Sequence, residues 1–197
     1  MADIENVGKT ADELKSFSLP SYESLPEIEL YMDQLIGYLN KLLAHTCRSE
    51  EGEPLTPNRV NNYVKDGRIK RPVQKKYDRD RIAMLYMLCC AKQNLALPDA
   101  SALLGTLENG DIARLYEEFK SLQEPIVRSC AEELCNTDKS REALLEKALE
   151  LTVRSTAERY MAELIISSVC EKSTEDKKEN VKAKKIKKSK KEKKDGI

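Results

Sequence analysis

Leu55-Thr56-Pro57-Asn58-Arg59-Val60-Asn61-Asn62-Tyr63-Val64-Lys65-Asp66-Gly67-Arg68-Ile69-Lys70-Arg71-Pro72, followed by Val73-Gln74-Lys75-Lys76-Tyr77-Asp78, sets out a short helix, a glycine stop and a basic loop. Thr56 is a good N-cap and Pro57 suits the first helical position, where its missing N–H costs nothing. Gly67 can take the left-handed conformation that ends a helix. Asp78 is placed to cap a further helix. A capped helix followed by a tight basic hairpin is the outline of a winged helix-turn-helix, so the expected fold is all-α with a small hairpin wing. Val60 and Val64, four apart, would be buried, with Tyr63 at the edge of that face. Asn58, Arg59, Asn61 and Asn62 would face outward. Asn can hydrogen-bond adenine through two atoms, and Arg can do so with guanine or hold phosphate. Arg68, Lys70, Arg71, Lys75 and Lys76 would neutralise flanking phosphates without reading bases.

Charge is segregated in the same way. The 197 residues carry no net charge, yet residues 1–53 carry 4 basic and 11 acidic side chains. Residues 54–81 carry 9 and 3, residues 82–171 carry 9 and 15, and residues 172–197 carry 12 and 5. Basic charge is thus confined to the central motif and the C-terminal tail, and local field matters more than net charge for nucleic-acid affinity. Trp is absent and Phe occurs twice, while Leu, Ala and Ile dominate the apolar positions. That favours helices packed on helices.

Outward from the motif, residues 1–19 are polar and expected to be disordered. Ser24 and Glu27 have capping-box spacing, which predicts a helix from there to about Ala44 with Ile28, Met32, Leu35, Ile36, Leu39, Leu42 and Leu43 on one face. Thr46 to Pro54 forms an acidic loop by composition. Helices are predicted from Arg79 to about Leu95, from Pro98 to about Leu107, from Ile112 to Leu134 with a bend at Pro125, and from Lys139 to Cys170. The last carries a wide apolar stripe that does not keep a seven-residue repeat, because Thr152 and Thr156 interrupt it. A symmetric dimer built from residues 139–170 is expected to present two copies of the motif to two half-sites. Residues 172–197 are Lys-rich and expected to be disordered.

These segments divide the chain into a disordered stretch 1–19, a helix-turn-helix domain 20–107, a C-terminal helical region 108–171 and a tail 172–197. The longest apolar run, Ile82 to Ala91, is half the ~20 residues a membrane span needs. No export signal is visible, so a cytoplasmic location is expected. Six cysteines include no CxxC pair, and adjacent Cys89 and Cys90 fit buried thiols better than a disulfide framework, metal site or redox sensor. His45, the single histidine, is expected to be a solvated residue at a helix end. With no glycine-rich phosphate loop, HExxH or nucleophile–base pair, neither an enzyme nor a metal or other cofactor is expected.

The motif resembles the DNA-binding head of MerR-type regulators, in which a recognition helix leads to a small wing carrying an Arg-Tyr pair. Asn61 and Asn62 stand where those proteins have an Arg and a Tyr that contact DNA, Tyr63 keeps the second aromatic, and Lys76-Tyr77 stands at the wing pair. Leu97 to Leu104 matches a following segment in order and spacing. From Leu19 to Leu104 the chain also resembles a bacterial family catalogued as domain of unknown function 1836. That family shares the Leu-Pro-Glu-Ile-Glu-Leu-Tyr-Met-Asp-Gln opening (Leu25 to Gln34) and the Thr-Pro…Val-Asn-Asn-Tyr-Val-Lys core. The likeness to MerR-type regulators implies double-stranded DNA as partner, with Tyr77 added to the contact residues, and dimerisation through the C-terminal helices. The expected activity is transcription regulation through helix 57–65 and a basic wing 68–77. The alternative is an adaptor that keeps the fold without reading DNA, which would bury Asn61 and Asn62 or leave an apolar groove beside the motif.

Overall fold

The computed structural model describes residues 4–46 and 52–170. Cys47, most of the acidic loop and the Lys-rich tail lie outside them. Seven α-helices are present among the described residues: α1 (Ile4–Leu14), α2 (Met32–Leu42), α3 (Pro57–Lys65), α4 (Arg79–Asn94), α5 (Leu97–Glu108), α6 (Ile112–Asn136) and α7 (Arg141–Val169). Of the predicted helices, α3 to α7 stand within two residues of their expected bounds, and α6 runs on through Pro125.

The core is organised around α4. Ile82, Ala83, Leu85, Tyr86, Met87, Leu88 and Cys89 are all buried, so every side of this helix meets protein rather than one stripe. Packed against α4 are α2, α5 and α6. Tyr86 reaches across to α6, where its hydroxyl donates to Gln123 Oε1 at 2.9 Å, and its ring meets Tyr116 and Phe119 edge-on at 6.3 and 6.1 Å. An otherwise costly buried phenol is thereby satisfied. Burial pushes the Cys89 thiol up to about 12 and Cys90 up to about 11, in keeping with thiols that serve as small apolar groups.

Four expectations are corrected. The first concerns residues 1–19. Residues 4–14 form α1 and pack on α6, with Ala11 buried. The chain after α1 is tied down by α6 side chains: Arg128 Nε donates to the Phe17 carbonyl at 2.8 Å, and Leu19 N–H donates to Glu124 Oε1 at 2.8 Å. These ties lie more than one hundred residues away in sequence, which is why composition alone suggested disorder.

The second concerns the start of α2. The Ser24–Glu27 spacing does not open a helix; Ser24 closes a single 3-10 turn, Tyr22–Ser24, capped by Ser21. The helix begins at Met32, where the Gln34 side chain accepts the Tyr31 N–H at 3.1 Å. Leu30 is held extended because it pairs with Tyr77, and that tertiary pairing overrides the local signal.

The third concerns the wing. No β-strand forms among the described residues; the hairpin is one two-residue turn closed by Lys76 N–H to Val73 O at 2.9 Å. The fourth is His45, which is half-buried in a 3-10 turn rather than solvated. Its ring lies 4.4 Å from that of Phe17. Nδ1 meets the Leu42 carbonyl at 3.0 Å and Nε2 meets Gln123 Nε2 at 3.1 Å. With Nδ1–H donating to Leu42, Nε2 accepts from Gln123, and burial lowers the His45 pKa.

Candidate nucleic-acid interface

At its start α3 is held by Thr56, whose Oγ1 accepts the Arg59 N–H at 3.4 Å. Val60 and Tyr63 are buried and Val64 is half-buried. At 100° per residue these three face one way, and Asn58, Asn61, Asn62 and Lys65 face the other within one arc. All four of the latter are exposed. Lys65 was absent from the expected contact residues, although its spacing of four from Asn61 and seven from Asn58 marks it. Arg59 is exposed but turned away from the Asn face, its Nη1 donating to the Pro54 carbonyl at 2.5 Å.

The helix ends in a Schellman motif. Gly67, at φ +68°, donates to Val64 O at 3.2 Å, and Arg68 donates to Tyr63 O at 2.8 Å. A Cβ at this φ would be strained, so glycine suits the position. Ile69 then plugs the core, and the chain emerges as the basic loop.

Arg81 of α4 sets the course of that loop. Its Nε donates to the Lys70 and Arg71 carbonyls at 3.1 and 3.0 Å, its Nη2 to Arg71 O at 2.7 Å, and its Nη1 pairs with Asp78. Asp78 caps α4 through the Arg81 N–H at 3.0 Å. A planar fork spanning two carbonyls is beyond a lysine. Nothing in the sequence distinguished Arg81 from the other basic residues.

Beyond the clamp, Lys70, Arg71 and Lys75 are exposed and Arg68 and Lys76 are half-buried. Lys70 also reaches Glu108 of α5 at 3.3 Å, across a cleft of about 400 Å³ between loop and helix. No carboxylate interrupts the sequence between Asp66 and Asp78. Gln74 and Lys75 have φ of +49° and +65°, the two left-handed positions of a type I′ turn.

Tyr77 departs from its expected role as a contact. It is 2% exposed, and burial raises its pKa. Its ring belongs to the core and has no surface to offer a partner. Because successive residues alternate faces, pairing Leu30 with Tyr77 sets Tyr31 opposite Lys76, and Lys76 is bridged to Val73. Tyr31 and Val73 are exposed, and the Lys76 ammonium lies 5.4 Å from the Tyr31 ring centroid. The aromatic beside the basic turn is therefore Tyr31, which stands 45 residues before Lys76 and outside the motif.

A family model described as Domain of unknown function (DUF1836) matches residues 20–119. The chain belongs to the DUF1836 family. Searches of curated proteins and of solved structures returned no match. The DUF1836 match runs past the expected boundary at residue 107 into the first part of α6. That stretch holds Tyr116 and Phe119, whose rings both meet Tyr86 of α4 edge-on, so the DUF1836 unit includes side chains that close its core. No helix among the described residues is long and apolar enough to cross a membrane.

Proposed function

We propose that this protein is a DNA-binding transcription regulator rather than an enzyme. Its helix α3 enters the major groove and the loop 68–76 grips the flanking backbone. The observation that carries this reading is the alignment of Asn58, Asn61, Asn62 and Lys65 on one exposed face of a capped helix, beside a loop fixed by Arg81 and free of carboxylates. Helical recognition through a few side chains flanked by phosphate contacts is a general solution for duplex binding. On this reading α3 takes the part of the recognition helix of a MerR-like winged helix-turn-helix, and the two-residue turn at Gln74 and Lys75 takes the part of the wing without forming a hairpin of strands. The adaptor alternative predicts burial of Asn61 and Asn62 or an apolar groove beside the motif; both Asn are exposed, and the cleft beside the loop carries Arg68, Lys70 and Glu108 along with Met84 and Leu104, so the Asn face is what favours DNA.

Selection of bound sites from a random duplex pool with the intact chain tests base reading. The proposal expects an enriched site containing adenines, and Asn61→Ala or Asn62→Ala relaxes preference at single positions, each good bidentate contact being worth about 1–3 kcal/mol of discrimination. Recovery of sequences no different from the input pool contradicts it.

A further inference from the structure

The cleft between the basic loop and α5 holds about 400 Å³, within the range of small-molecule sites. One wall is the loop, with Arg68 and Lys70. The other is the face of α5 that carries Ser101, Gly105 and Glu108, spaced by four and three. Met84 of α4 and Leu104 add apolar surface. The loop wall is already fixed in place, because the Arg81 guanidinium holds the Lys70 and Arg71 carbonyls. A second cleft of about 270 Å³ shares Arg68, Lys70, Met84 and Glu108 with the first.

Two features of α5 are not accounted for by the fold. Ser101 Oγ is buried and has no hydrogen-bond partner among the described residues. A hydroxyl inside a helix can return to the carbonyl four residues back, as Thr106 Oγ1 does to Ala102 O at 2.8 Å. Ser101 does not. Gly105 stands in the helix interior, where glycine is less stable than alanine. A Cβ added there would meet nothing within 4 Å among the described residues beyond its own stretch of helix. Neither backbone conformation nor close packing therefore calls for glycine at this position. Its effect is to leave the cleft open.

Charge selects the ligand. In the first cleft Arg68 and Lys70 face a single carboxylate, Glu108, whereas in the second Arg68, Lys70 and Arg81 are balanced by Asp78, Asp80 and Glu108. An anion is thus favoured in the first. Lys70 pairs with Glu108 at 3.3 Å, but its side chain is 74% exposed. A pair so open to water is weak, and the ammonium is able to turn to an incoming anion at little cost. We infer that this cleft binds a small organic anion, a carboxylate or phosphate monoester with an apolar body. Its head lies beside Arg68 and Lys70, where a guanidinium fork suits either group. The Ser101 hydroxyl turns about χ1 to donate to the ligand. The apolar body rests over Gly105 against Met84 and Leu104. The site's test involves no nucleic acid, so it stands or falls apart from the DNA reading.

The experiment uses the full chain, isotopically labelled at its methionine methyl groups and followed by NMR. The probes are benzoate, phenyl phosphate, inorganic phosphate and benzylamine, each raised to about 10 mM, above the Kd on the order of 1 mM expected of so small a molecule. Met84 lines the cleft and reports on it, while Met87, fully buried on α4, reports any general change. The Met84 signal is expected to shift and saturate with benzoate or phenyl phosphate while Met87 stays, and the tighter of the two names the head group. Gly105→Leu places a side chain in the open space and is expected to keep its helical circular dichroism and weaken binding roughly tenfold or more. Arg68→Gln is expected to weaken it as well. Inorganic phosphate binding as tightly as phenyl phosphate overturns the apolar body, and benzylamine binding more tightly than benzoate overturns the anion. Unchanged affinity in either variant, or a Met84 signal that responds to none of the probes, overturns the site.

Discussion

Leu30 and Tyr77 exchange both backbone hydrogen bonds, each 2.9 Å long, across a single antiparallel bridge. This pair fixes where α2 starts, how the basic loop returns to the core and which aromatic faces outward beside it. Tyr77→Ala removes a side chain that is 2% exposed, and a loss of about 3–5 kcal/mol in unfolding free energy is expected by analogy with other large core aromatics. Tyr77→Phe keeps the ring and is expected to bind duplex DNA as the wild type does. Urea denaturation of both variants checks the pair; a Tyr77→Ala protein as stable as the wild type removes Tyr77 from the core.

Lys75 sits at φ +65°, a conformation that costs an L-residue roughly 1–2 kcal/mol. Lys75→Gly relieves that strain at the cost of some chain entropy, so a rise in Tm of about 2–4 °C is expected for a chain of this size. It also removes one phosphate-neutralising charge, so affinity for duplex is expected to fall while stability rises. Lower stability in calorimetry would contradict the turn geometry.

Arg81 is expected to act on binding through the loop it holds. Arg81→Lys keeps the charge but loses the fork to the Lys70 and Arg71 carbonyls. Duplex binding is expected to weaken about tenfold, the value of one lost charge-assisted hydrogen bond of ~1.4 kcal/mol. The helical circular dichroism is expected to stay unchanged. Equal affinity in the two proteins would show that loop position does not matter.

His45 gives the fold a dependence on pH. Burial lowers its folded pKa below the ordinary 6.5. The unfolded chain therefore takes up a proton first as pH falls, and stability is full above about 6.5 and declines as pH drops through that value toward the folded pKa. His45→Gln removes the titration, so the loss of stability between pH 7.5 and 5.5 is expected to be smaller in the variant. Identical pH profiles in urea denaturation would contradict the burial of the imidazole.

Where local signals and tertiary packing agree, the fold was legible in the sequence. Thr56, Pro57, Gly67 and Asp78 are all local devices, and each does what its chemistry suggests: α3 starts at Pro57, ends before Gly67, and α4 begins at Arg79. Signals failed where a distant partner decides the outcome. Ser24 and Glu27 satisfy a capping pattern, yet Leu30 is drawn into a bridge with Tyr77 and delays the helix. Residues 4–14 carry Ile4, Val7, Ala11 and Leu14 at helical spacing, a signal outweighed in the reading by the polar composition around it, and α6 provides the surface they pack on. The same limit applies at the candidate interface. The outward side of α3 follows from helical period, whereas the burial of Tyr77, the exposure of Tyr31 and the clamp of Arg81 depend on pairings that no local spacing encodes.

On the proposed reading the motif, rather than the Lys-rich tail, binds duplex DNA. The most direct measurement is a duplex titration at two salt concentrations on three proteins: the full chain, a chain ending at Glu171, and an Arg68→Ala/Lys70→Ala/Arg71→Ala variant. Each phosphate contact contributes about 0.9 to the slope of log affinity against log salt. The shortened chain is expected still to bind with a steep slope, and the triple variant is expected to lose both affinity and much of that slope. If binding disappears with the tail and the triple variant binds as the full chain does, the motif is not a DNA-binding surface.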